Sequence, residues 1–170
     1  MSIKPEYVRK IESGLKLYEF RRVIFTEISI PKFTTYLKGK PHYTYNSNAK
    51  PVIIYVYESS PVQAVTGCIQ CEEVIANSPK KLWELFSNHA GISEKDFFNY
   101  FKFKKGRYPA INTIDIGFAL KIKDYQVFKN PIYLKDIYVD RAPQNFQYLR
   151  HYQREELNDI LSKAEQGEQL

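Results

Sequence analysis

The chain of 170 residues is 44% hydrophobic and 26% charged, enough to bury one core and unlike a disordered or fibrous composition. Lysine and arginine total 25 against 19 aspartate and glutamate, a net charge of +6 that favours phosphate-bearing partners. No run approaches ~20 apolar residues, and Lys4, Glu6, Arg9 and Lys10 interrupt the N-terminus before a secretory signal can form, so a soluble cytoplasmic protein without membrane contact is expected.

Residues 1–4 read as a short strand. Pro5 suits a first helical turn, and Tyr7, Val8 and Ile11 supply one apolar stripe. Ser13 and Gly14 close that helix, the glycine being able to take a left-handed cap. The strand expected at 15–25 turns Tyr18 and Phe20 to one side and Glu19 and Arg21 to the other. If the aromatic side is core, Glu19 and Arg21 face water or an enclosed polar cavity. Arg22 adds a further charge.

Residues 26–50 read as a loop or loose hairpin, punctuated by Pro31, Gly39, Pro41 and Asn46-Ser47-Asn48. The tract interleaves Tyr36, His42, Tyr43 and Tyr45 with Lys32, Lys38, Lys40 and Lys50, a mixture that suits single-stranded nucleic acid or a solvated surface hairpin. Its aromatic part, 34–45, also suits the docking of a protein partner, as in a regulator.

Residues 51–58 form an apolar strand buried on both faces, and 62–75 another, with Gly67 a bend or a point of close contact. Ser78 caps a helix over 79–88 and Ser93 a second over 94–103. The basic run Lys102, Lys104, Lys105 and Arg107 ends the second helix, where cations complement its dipole. Strands follow at 113–125 and 127–134, then an extended lead-in at 142–149 and an amphipathic helix at 153–164, with fraying from Gly167. About five to seven strands with inserted helices define an α+β class, a small mixed or antiparallel barrel flanked by helices in one domain.

Cys68 and Cys71 point to opposite faces of a strand, so neither a disulfide nor a shared metal is expected. His42, His89 and His151 lack ligand spacing, so no metal or cofactor is called for.

The opening Ser2-Ile3-Lys4-Pro5-Glu6, the turn Ser13-Gly14-Leu15-Lys16 and the strand Tyr18-Glu19-Phe20-Arg21 resemble the N-terminal signature of ASCH domains, of the PUA-like superfamily. Gly14, Lys16, Glu19 and Arg21 match a Gly-x-Lys-x-x-Glu-x-Arg element of that family. Ser59-Ser60-Pro61, Ala64-Val65-Thr66-Gly67, the Pro79, Leu82, Trp83 helix and Ala142-Pro143-Gln144-Asn145-Phe146 resemble later family elements, in order. Only 26–50 looks expanded.

The resemblance implies a PUA-like pseudobarrel over residues 1–170 that binds RNA, single-stranded nucleic acid or a modified nucleoside or nucleotide. It also implies a cleft lined by Lys4, Lys16, Glu19, Arg21, Ser59, Gln144 and Asn145. In it Arg21 can hold a phosphate at two points, Lys4 adds positive charge, and Gln144 and Asn145 can read base edges or cap the last helix. If the protein is an enzyme, Lys16 and Glu19 are the reacting groups, as nucleophile or base and proton shuttle. Some ASCH proteins hydrolyse the amide of 4-acetylcytidine with a lysine, a threonine and a glutamate. Lys16 matches that lysine, but Glu19 stands at the threonine position. Ribonuclease activity is a further alternative that the resemblance implies. Without the resemblance, Lys16, Glu19 and Arg21 read as an ion-pair ladder on an exposed strand face.

Overall fold

A computed structural model describes residues 1–24, 30–37, 40–102 and 116–166. Phe25, Ile28, Lys38, Gly39, the basic residues Lys104, Lys105 and Arg107, the strand start at Thr113 and the tail from Gly167 lie outside the described residues. The chain divides into two interleaved units, one made of Met1–Glu12, Ile53–Ile69 and Tyr125–Leu170, the other of Ser13–Val52 and Gln70–Asp124.

In the first unit, strand β1 (Ser2–Ile3) lies parallel to β5 (Val52–Glu58), with Ser2 opposite Tyr57 and Ile3 opposite Glu58. The N-terminal amine donates to the Tyr55 carbonyl at 2.7 Å. Helix α1 (Pro5–Glu12) turns Val8 and Ile11 inward, as its spacing predicts. Gly14 follows it at φ +73°, the left-handed conformation expected of a glycine there. The core gathers Tyr57, Val65, Cys68, Phe128, Ile132, Ile137, Val139 and Leu157. Helix α4 (His151–Gln166) buries Gln153, whose amide nitrogen donates to the Tyr138 carbonyl at 2.7 Å while its oxygen accepts from the Arg150 N–H at 2.9 Å. A buried amide with both ends satisfied locks the helix start to the preceding turn. At Gly67 a Cβ would strike the Gln126 carbonyl and the Tyr125 hydroxyl, so the glycine is a close-contact point.

In the second unit, β2 (Tyr18–Arg21) runs antiparallel to β7 (Gly117–Ile132), pairing Tyr18 with Lys121 and Arg21 with Phe118. Strands β3 (Lys32–Leu37) and β4 (Lys40–Tyr45) form an antiparallel hairpin, and β3 also runs parallel to β6 (Ala64–Asn77), with Lys32 opposite Glu73. Helices α2 (Pro79–Phe86) and α3 (Glu94–Phe101) begin at Ser78 and Ser93, whose hydroxyls accept from the Lys81 and Asp96 N–H groups. The core is aromatic. Phe97 is fully buried, edge-on to Phe20 at 4.9 Å and to Phe98 at 5.2 Å, with Leu82, Ala90, Phe101 and Ala119 around it.

The strands form one mixed sheet with helices between them, an α+β arrangement. The expected closure into a barrel is corrected. Among the described residues β1, β2 and β4 each pair with one neighbour only, β5, β7 and β3 respectively, so the sheet keeps open edges. The cause lies in β6 and β7, of 14 and 16 residues, which take several neighbours along their lengths and make the sheet fork. Strand β7 also runs unbroken through Asn130-Pro131 to Ile132, where the sequence predicts two shorter strands. Proline is tolerated where its missing N–H is not needed by a ladder. Among the described residues no helix is long and apolar enough to cross a membrane.

Candidate functional site

Lys16 leaves the Gly14 turn just before β2, while Glu19 and Arg21 stand within that strand, and all three are buried, with side chains 4%, 10% and 8% exposed. The exposed ion-pair ladder is thereby excluded. Each carboxylate oxygen of Glu19 serves one cation: Oε2 lies 3.3 Å from Lys16 Nζ and Oε1 2.8 Å from an Arg21 terminal nitrogen. Lys16 Nζ also donates to the Ala90 carbonyl at 2.9 Å and sits 5.2 Å from the centre of the Phe20 ring. One carboxylate thus bridges two cations in a buried cluster, which fixes the position of all three charged groups.

The 87–91 segment holds Lys16 in place. The Leu17 N–H donates to the His89 carbonyl at 3.0 Å, and the Ala90 carbonyl accepts from Lys16. Gly91 takes φ +63°, and a Cβ built on it would lie 2.6 Å from Lys16 Cβ. Its role in making room for the lysine stem depends on a contact across 75 positions that no local sequence pattern reveals.

The remaining predicted site residues belong to the first unit. Lys4 is exposed and lies 3.8 Å from Glu6. The Ser59 N–H donates to the Ile3 carbonyl at 3.0 Å and the Ser2 N–H to the Asn145 carbonyl at 2.9 Å, so Ser59 and Asn145 flank β1 through their backbones. Gln144 is exposed. What the structure brings together is therefore Lys16, Glu19 and Arg21 in one unit, and Ser59 and Asn145 around β1 in the other.

Of the aromatic and basic tract, Lys32 and Tyr36 lie on β3 and Lys40, His42, Tyr43 and Tyr45 on β4. Lys32 Nζ stands 4.8 Å from the Tyr43 ring centre and 5.9 Å from that of Tyr45. His42, Lys40 and Lys50 are exposed. Cys68 and Cys71 are buried thiols that form no disulfide with each other, and burial pushes the Cys71 thiol up to about 12, which makes it a packing residue instead of a nucleophile. No group of His, Cys, Asp and Glu suited to a metal occurs among the described residues.

A forked mixed sheet with inserted helices and a buried Lys-Glu-Arg cluster behind an N-terminal glycine turn defines a class that comparison with known proteins identifies. No protein-family model matches the chain. An ASCH domain-containing ribonuclease of Zymomonas mobilis is 26% identical over 169 residues, spanning 97% of this chain and 93% of that protein. The crystal structure of ASCH from Zymomonas mobilis superposes with a TM-score of 0.66 at 26% identity, over 94% of this chain and 92% of that one. The large ribosomal subunit protein uL22 of Ureaplasma parvum is 28% identical over 101 residues, 59% of this chain but 29% of that protein. The chain is an ASCH domain.

Proposed function

We propose that this ASCH domain binds RNA and that the cluster of Lys16, Glu19 and Arg21 receives a backbone phosphate. The observation that carries this reading is two cations held across one carboxylate in a buried site, a ready receptor for a phosphodiester. A relative named a ribonuclease, aligned over nearly the whole chain, supports RNA as the partner. The same alignment spans residues of both units, which supports treating residues 1–170 as one domain.

The test is fluorescence anisotropy of a labelled single-stranded RNA against rising salt. Affinity should fall with ionic strength as counterions compete, and Lys16→Met and Arg21→Met, each verified as folded by circular dichroism, should weaken it about ten-fold or more. Unchanged affinity in both variants would remove the cluster from the reading.

The relative's name favours a second reading, RNA cleavage at the same cluster. Lys16 and Arg21 would then stabilise the negative charge on the non-bridging phosphate oxygens as the neighbouring 2′-oxygen bonds to phosphorus and the 5′-oxygen departs, with Glu19 holding both cations in position. Incubation with a short RNA and separation of the fragments tests it. Fragment yields no higher than those of Lys16→Met would sink this reading and leave binding standing.

A further inference from the structure

The second unit carries a second charged site, built from long-range pairings. The β3–β4 register sets Lys32 opposite Tyr45, and the β3–β6 register sets it opposite Glu73. These elements wall a cavity of about 500 Å³ lined by Lys32, Tyr45, Asn46, Glu72, Glu73 and Lys121, among others. That volume falls within the range of small-molecule pockets.

The pocket is polar and balanced. Lys32 Nζ lies 2.9 Å from Glu73 Oε1, and Lys121 Nζ 3.0 Å from Glu72 Oε1. The Thr34 hydroxyl donates to Glu73 Oε1 at 2.6 Å. Hydrogen bonds to these carboxylates hold the protons of Lys32 and Lys121 more tightly than usual, so both lysines are donors at neutral pH. The bonds to Glu73 fall on Oε1, and so does the bond to Glu72. Oε2 of each has no partner among the described residues. Donors and unused acceptors thus line one wall, and Tyr45 stands beside them 67% exposed, 5.9 Å from Tyr43.

Two ammonium groups and two carboxylates sum to zero charge. A free phosphate would meet two glutamates, and a basic peptide would meet two lysines. An uncharged aromatic ring offering donors and acceptors on its edges meets a partner at each. Among the RNA bases, guanine alone sets two adjacent N–H donors, N1–H and N2–H, beside the acceptor O6, with N7 a second acceptor.

We propose that this cavity is a guanine pocket for single-stranded RNA: the base stacks on Tyr45, the lysines donate to O6 and N7, and the free carboxylate oxygens accept from N1–H and N2–H. The proposal rests on the RNA reading above but assigns a different site, the one that reads the base.

The experiment measures anisotropy of four labelled heptamers, adenines throughout or with a single central guanine, cytosine or uracil. The wild type should bind the guanine heptamer about ten-fold more tightly than the other three. Tyr45→Ala, a change at an exposed ring, should weaken binding about ten-fold. Glu73→Gln, and independently the more exposed Glu72→Gln, should cut the preference for guanine over adenine to about two-fold or less. Equal wild-type affinity for all four heptamers, or full affinity in Tyr45→Ala, overturns the pocket. If such binding is lost in Lys16→Met, the RNA reading survives the loss of the pocket. If the wild type binds no heptamer, both fall together.

Discussion

The two charged sites of the second unit use the same residue types in opposite surroundings. Lys16 and Glu19 are 3.3 Å apart with side chains 4% and 10% exposed, whereas Lys121 and Glu72 are closer, 3.0 Å, yet 40% and 34% exposed. Separation therefore ranks the pairs opposite to their weight. In water the attraction is screened and a surface pair contributes about 0–1 kcal/mol. In a buried cluster, removal of one partner strands the other and costs about 3–5 kcal/mol. The first site is a fixed constellation. The second keeps its charges within reach of solvent, where they can exchange partners with a ligand.

The sharpest way to break that contrast is Glu19→Gln, which leaves Lys16 and Arg21 without the carboxylate between them. Chemical denaturation should show a loss of about 3–5 kcal/mol, and a loss below ~1 kcal/mol would place the cluster in the wet class. Next comes Gly91→Ala. It forces a side chain into positive φ and onto Lys16, at a cost of about 2 kcal/mol seen as a lower thermal midpoint. RNA affinity should fall with it if Lys16 is displaced, and a neutral result would show that the lysine stem can shift.

Glu73→Gln removes the negative charge that Lys32 and Thr34 bond while keeping one oxygen acceptor, and should cost about 1–2 kcal/mol by denaturation, between the two extremes because Glu73 is 12% exposed and Lys32 30%. The smallest effect is that of Lys121→Met, under ~1 kcal/mol. Alkaline titration sharpens the same comparison. Lys32 and Lys121 have folded-state affinities for the proton raised above the ordinary 10.5 by their glutamates. Their contribution is fully present below that value and is lost as pH rises through the higher folded one. A double Lys32→Met, Lys121→Met variant should therefore lack part of the wild type's loss of stability above pH 10.5. Parallel stability curves for variant and wild type would show that these pairs carry no linkage.

What could be read from sequence follows the range of each interaction. Ser78 and Ser93 announce their helices because a cap acts within three residues. Gly14, with Pro5 and the Val8 and Ile11 spacing before it, announces the end of α1 in the same way. Lys16, Glu19 and Arg21 could be named together through the family motif, but alternation alone does not decide between water and an enclosed polar cavity for Glu19 and Arg21. Alternation implies that Phe20 and its neighbours face opposite ways, yet Glu19, Phe20 and Arg21 are all buried. The pocket of Lys32, Glu73 and Lys121 was beyond reach. Its members lie on β3, β6 and β7, and only strand register brings them to one wall. The open sheet was missed for a related reason, since periodicity sees strands but not the neighbours a long strand acquires along its length.

The interleaving of the two units sets an order in time. The unit that carries both charged sites has its last residue at Asp124, whereas the other needs Tyr125–Leu170, helix α4 included. Chains emerge from the ribosome N-terminus first, at ~5–20 residues per second. Every residue of the site-bearing unit is thus synthesised while the unit holding the N-terminal strand still awaits its final segment. Met1 to Glu12 precede every residue of the site-bearing unit, yet the unit they belong to is completed after it.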